Sequence, residues 1–98
     1  MLTMPDHARS VRPGGGFQAQ FHMGGVVKAH EVSMVNELMA EYGKHVLAYL
    51  LVQPTPSCYS LELQFDASKA GQAALKACQA EYESRITTRK RSKSLACS

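Results

Sequence analysis

Four histidines, three cysteines and a run of cations near the C-terminal end are the side chains of this sequence that could do chemistry. Metal binding is the first chemistry they suggest. His22, His30 and His45 stand on three separate stretches, and neither HxxxH nor CxxC occurs, the short spacings by which one helix or turn presents two donors to one ion. Cys58, Cys78 and Cys97 cannot all pair within the chain, and the reading is free thiols in a reducing compartment, hence a cytoplasmic protein. Cys78 falls on an apolar helical stripe and is expected to act as a small buried hydrophobe. Glu31, Glu37, Glu41 and Glu62 show no pairing for acid and base work, and no Ser, His and Asp stand in a nucleophile-elbow context. The expectation is a chain that is not an enzyme, with no catalytic residue, no metal and no cofactor.

The cations are Arg85, Arg89, Lys90, Arg91 and Lys93, within "RITTRKRSKS". They could meet phosphates. The net charge of +3 conceals a division, because residues 1–84 hold six Lys and Arg against eight Asp and Glu, a net charge of −2. A duplex would have to be held by this segment alone, and five cations releasing counterions give a slope of at most about −4.5 in log K against log[salt]. Tyr82 is the last aromatic residue, so base stacking has no platform there. "RPGGG" is no phosphate cradle either, since it lacks the GxGxxG and GxxxxGK[ST] spacings and no apolar strand precedes it.

The elements that must position these groups follow from hydropathy. Ninety-eight residues make one small domain, and the longest apolar run, Val46 to Val52, falls far short of the roughly 20 residues that span a membrane. Residues 1–16, with three consecutive glycines, read as a flexible arm, residues 17–90 as a single domain and residues 91–98 as a basic flexible tail. Phe17, Ala19, Phe21 and Met23 alternate with polar residues and predict a strand. Gly24-Gly25 then offers either a two-residue hairpin turn or a joint into a helix, which leaves residues 26–30 open. Val32, Val35, Leu38, Met39 and Tyr42 recur at three and four residues, a helix closed by Gly43 in a positive-φ C′ position. Residues 44–53 read as a strand in preference to a continued helix, because "QPTPS" closes them and "CYSLELQF" alternates strictly beyond. Asp66 is the expected N-cap of a last helix, with Ala74, Leu75, Cys78, Tyr82 and Ile86 along one stripe. The fold class is α+β: strand, helix, strand, strand, helix, two layers with the helices on a three-stranded sheet.

One face is left over. The central run is apolar on both sides, and if Val46, Ala48, Leu50 and Val52 face the helices, then Leu47, Tyr49 and Leu51 form a ridge on the other side. Leaving three such side chains wet forfeits roughly 1.5 to 3 kcal/mol each. Either the N-terminal arm, through Leu2, Met4 and Val11, folds over the ridge, or the run is a buried helix, or a partner chain, most simply a second copy about a two-fold axis, meets it. The functional expectation is a small regulatory or adaptor protein of the cytoplasm. It would work by protein binding, masking or bridging a partner such as a transcription regulator, as a homodimer through Leu47, Tyr49 and Leu51. The alternative is a nucleic-acid-binding protein that grips with Arg85, Arg89, Lys90, Arg91 and Lys93.

Overall fold

The computed structural model describes residues 2–12 and 20–86. It is an α+β domain in which two helices lie on one face of a four-stranded mixed sheet of order β1-β3-β4-β2. The strands are β1 (Arg9–Ser10), β2 (His22–Lys28), β3 (Val46–Thr55) and β4 (Cys58–Phe65), and the helices are α1 (Val32–Tyr42) and α2 (Lys69–Arg85). β4 pairs antiparallel with both β2 and β3, so β2 and β3 run parallel with β4 between them and α1 as their crossover, a split β-α-β arrangement. The fold class stands as expected. The sheet has four strands and not three, because the N-terminal segment supplies β1, paired parallel to β3 with Arg9 opposite Ala48 and Ser10 opposite Tyr49.

That segment corrects the picture of a flexible arm for residues 2–12. Leu2, Met4 and Ala8 pack against the core, the Thr3 N–H donates to Asn36 Oδ1 on α1 at 2.9 Å, and the Val11 N–H donates to the Tyr49 carbonyl at 2.8 Å.

β2 runs straight through Gly24-Gly25, with no turn, and residues 26–28 belong to it. What glycine supplies here is space. A Cβ on Gly25 would stand 2.6 Å from the Tyr82 hydroxyl, which crosses the strand at that point. A 3₁₀ turn, Ala29–Glu31, then leads into α1, and the buried Glu31 fixes the junction by accepting the Lys28 N–H at Oε1, 2.9 Å away. Gly43 closes α1 with φ −62°, so the expected positive φ is absent. Its missing side chain makes room for the strap formed by residues 2–12, since a Cβ there would come within 2.7 Å of the Pro5 ring.

The core lies between the helices and the inner face of the sheet. Val35, Leu38 and Met39 of α1 and Ala74, Cys78 and Tyr82 of α2 meet Met23 and Val27 of β2, Val46 of β3, and Leu61, Leu63 and Phe65 of β4. Residues 44–53 are a strand from Val46 on, and they join β4 through the two-residue turn Pro56-Ser57. Two further expectations change at the start of α2 and at Cys58. Ser68, not Asp66, is the N-cap, its hydroxyl oxygen accepting the Gly71 N–H at 3.0 Å. Cys58 is disulfide-bonded, so the expectation of three free thiols fails there, while Cys78 is free and buried.

Candidate functional site

The ridge expected of Leu47, Tyr49 and Leu51 is broken by one inserted residue. Val46 pairs with Phe65 but Ala48 with Gln64, so β3 carries a bulge at Leu47. Strict alternation would keep Leu47, Tyr49 and Leu51 on one side. The bulge reverses the phase beyond it: Tyr49 stands opposite Leu63 and Leu51 opposite Leu61, both on the inner face, where they pack against the core. Ala48, Leu50 and Val52 go to the outer face, opposite Gln64, Glu62 and Ser60. Of the three predicted partner-binding residues, only Leu47 remains outward, and it is 51 % exposed.

The outer face is thus built from Leu47, Ala48, Leu50 and Val52 on β3, Ser60, Glu62 and Gln64 on β4, and His22, Gly24 and Val26 on β2. Ala48 and Leu50 are already buried within the chain. Val26, at 36 %, is the other exposed large apolar side chain among the described residues, and it occupies the corner diagonal to Leu47. Between them His22 Nε2 lies 3.5 Å from Glu62 Oε1. Gly24 lets the Glu62 stem lie close over the strand. The face can offer apolar contact at two corners around a polar centre. Periodicity alone could not reveal it, because a bulge leaves no mark in a run that is apolar on both sides.

Of the expected nucleic-acid contacts, Arg89, Lys90, Arg91 and Lys93 lie outside the described residues. Arg85 ends α2 with its guanidinium 3.4 Å from Glu81 and 3.8 Å from Glu37, carboxylates that link the two helices. Glu81 also accepts from the Tyr42 hydroxyl at 3.2 Å. Partial burial, reinforced by Glu41 and Glu81, holds that phenol above its ordinary range.

The fold does gather a His, an Asp and a Ser that the sequence keeps apart. His45 Nδ1 lies 3.1 Å from Asp66 Oδ2, and Asp66 Oδ1 accepts from both the hydroxyl and the N–H of Ser68. This order differs from a hydrolytic triad. There, histidine stands between the serine and the carboxylate and takes the serine proton. Here the carboxylate stands in the middle, and the Ser68 oxygen is committed to the α2 N-terminus. The Ser68 hydroxyl, with His45 behind it, holds the Asp66 carboxyl below the usual carboxylate range. The chemistry of the cluster is to stabilise the start of a helix.

Two hollows lie among the described residues. An apolar cavity of about 20 Å³ lies among Met23, Val35, Leu61, Cys78 and Tyr82, too small for more than a single water and without polar groups to hold one. Burial there pushes the Cys78 thiol up to about 12. A groove of about 290 Å³ is lined by Thr3, Met4, Pro5 and His7 of the strap formed by residues 2–12, by Asn36, Met39 and Ala40 of α1, and by Gly43 and Lys44 just beyond that helix. Among the described residues, no group of three His, Cys, Asp or Glu is placed to hold a metal ion, and no helix is long and apolar enough to cross a membrane. No protein-family model, curated protein or solved structure matches the chain.

Proposed function

We propose that this chain is a small non-catalytic regulatory or adaptor protein, acting by protein binding as a homodimer, with the outer sheet face as its contact surface. The observation that carries the reading is Leu47, an exposed leucine on the face turned away from the helices. Full burial of such a side chain is worth roughly 1.5 to 3 kcal/mol, which a chain of this size would gain by meeting a partner there. An isologous contact suits the layout, because a two-fold axis near the centre of the face places Leu47 and Val26 of each copy in one interface. The non-catalytic part of the reading draws on the His45, Asp66 and Ser68 cluster being a helix cap. A cytoplasmic location, expected from free thiols, is not carried into the proposal, because a reducing compartment would open the Cys58 disulfide. Light scattering on the wild type and Leu47→Asp decides the dimer: a dimer that becomes a folded monomer is expected, and a wild type that is monomeric at about 100 μM overturns the reading.

A further inference from the structure

Cys58 is disulfide-bonded and Cys78 is free. The chain has three cysteines, so the one left to pair with Cys58 is Cys97, which lies outside the described residues. The fold shows where such a bond is anchored. On β4, Cys58 shares a side with Ser60, Glu62 and Gln64, the outer face, and in register it stands opposite Lys28 of β2 and Thr55 of β3. It is nevertheless 1 % exposed, and it stands apart from the core cluster between the helices and the sheet. Leu50, on the same face, is likewise buried outside that cluster. Their cover is therefore not the helix layer.

The covalent path is long enough to supply that cover. Three residues before the end of α2 at Arg85, the Tyr82 hydroxyl donates to the Val26 carbonyl, two residues from Lys28 on β2. Eleven peptide links then separate Ile86 from Cys97, a reach of up to roughly 36 Å, ample for passing from the helix side of the sheet to Cys58 on the other. Within this span stand Arg89, Lys90, Arg91 and Lys93. We propose that Cys58 and Cys97 form a reducible tether that seats the C-terminal segment, with these cations, on the outer side of the sheet at the Cys58 end. It joins on one surface two features that the sequence keeps apart, the apolar corner at Val26 and the basic segment, and makes their association depend on redox state. The tether does not require the dimer.

Release follows thiol–disulfide exchange with a dithiol reductant. One reductant thiolate attacks the Cys97 sulfur, since Cys58 is shielded, and Cys58 leaves as the thiolate. The second reductant thiol closes on the first and frees Cys97; two electrons and two protons pass to the protein, and the reductant departs as a disulfide.

Peptide mapping of the full chain, purified without reductant and alkylated before digestion, tests the bond. A peptide pair joining Cys58 to Cys97, separated by dithiothreitol, is expected. Cys58 bonded to Cys78, bonded to a second chain, or recovered as a free thiol overturns the tether. Limited trypsin treatment of the native protein tests the seating. Cleavage at Arg89, Lys90, Arg91 and Lys93 should be about tenfold slower in the oxidised wild type than in the reduced protein or in Cys97→Ser, which changes no described residue. Equal rates in all three would show that the segment is bonded but not seated, and would overturn the docking.

Discussion

Tyr82 lies across Gly25: the ring passes over the strand where no side chain stands, and its hydroxyl donates to the Val26 carbonyl at 2.7 Å. One contact thereby ties the last turns of α2 to β2, and it explains why a Gly-Gly pair sits inside a strand where the sequence suggested a turn.

The first prediction follows from that crossing. Gly25→Ala puts a methyl 2.6 Å from the Tyr82 oxygen and should destabilise the fold by about 1 to 3 kcal/mol through forced displacement of the ring. Tyr82→Phe alone should cost about 1 kcal/mol through the missing hydrogen bond. Combined, the two should cost less than their sum, since removing the hydroxyl relieves the closest clash. Urea unfolding of the three variants measures the coupling, and strict additivity would show that the ring is not pinned over Gly25.

The start of α2 gives the second. Asp66 is held below the usual carboxylate range, first by the Ser68 hydroxyl and then by His45, so its ionised form is favoured in the folded state. A depressed folded pKa contributes stability above the unfolded value, about 3.9, and that stability is lost as pH falls through the folded pKa. Asp66→Asn should therefore be less stable than wild type at pH 6 and should lose less on acidification below pH 4. Ser68→Ala should lower stability by about 1 kcal/mol at neutral pH through loss of the cap. Thermal melts from pH 2.5 to 7 provide the measurement, and parallel acid profiles for wild type and Asp66→Asn would exclude the carboxylate as the source.

Much of this architecture was legible in the sequence, and the failures have physical causes. The α1 stripe and the alternation of Cys58–Phe65 were readable because each follows one period and each element keeps one buried face. The β3 run, apolar on both sides, gave no phase, so the bulge at Leu47 and the exchange of faces by Tyr49 and Leu51 were invisible. Local pattern assigns Gly25 and Gly43 to backbone freedom, whereas in the fold both provide space, one for Tyr82 and one for Pro5. Such uses depend on residues distant in sequence, Tyr82 and Pro5, which local pattern cannot supply. The N-terminal strap was hidden for the same reason: its strand is two residues long and exists only because β3 offers an edge.

The third prediction concerns Cys78, buried between α2 and the sheet with its thiol pushed up to about 12 by desolvation, with Glu81 and Glu41 adding to the shift. A thiol so placed is protonated and shielded in the folded state. Alkylation of Cys78 should be absent at pH 8 and become rapid only in denaturant. Because the folded pKa is raised, the associated stability is present below the unfolded thiol pKa and is lost as pH rises above about 8.5. Peptide mapping after brief iodoacetamide treatment checks the first statement. Fast modification in the native state would mean that α2 does not cover the residue.

The last prediction separates the three β3 residues that the sequence grouped together. Leu47 stands at the bulge and is 51 % exposed, whereas Tyr49 and Leu51 pack on the inner face opposite Leu63 and Leu61. An aspartate at each position therefore reports on a different property. Leu47→Asp should keep the helical content and melting behaviour of the wild type within about 0.5 kcal/mol while abolishing the dimer, because the new charge is solvated in the monomer and would be stripped of water in an interface. Tyr49→Asp and Leu51→Asp should instead destabilise each chain by about 2 kcal/mol or more, since both place a charge against packed apolar groups. Circular dichroism with light scattering on the three variants distinguishes the two mechanisms. If Tyr49→Asp gave a stable monomer and Leu47→Asp a destabilised chain, the bulge would be misplaced, and the contact surface would return to the ridge that unbroken alternation implies.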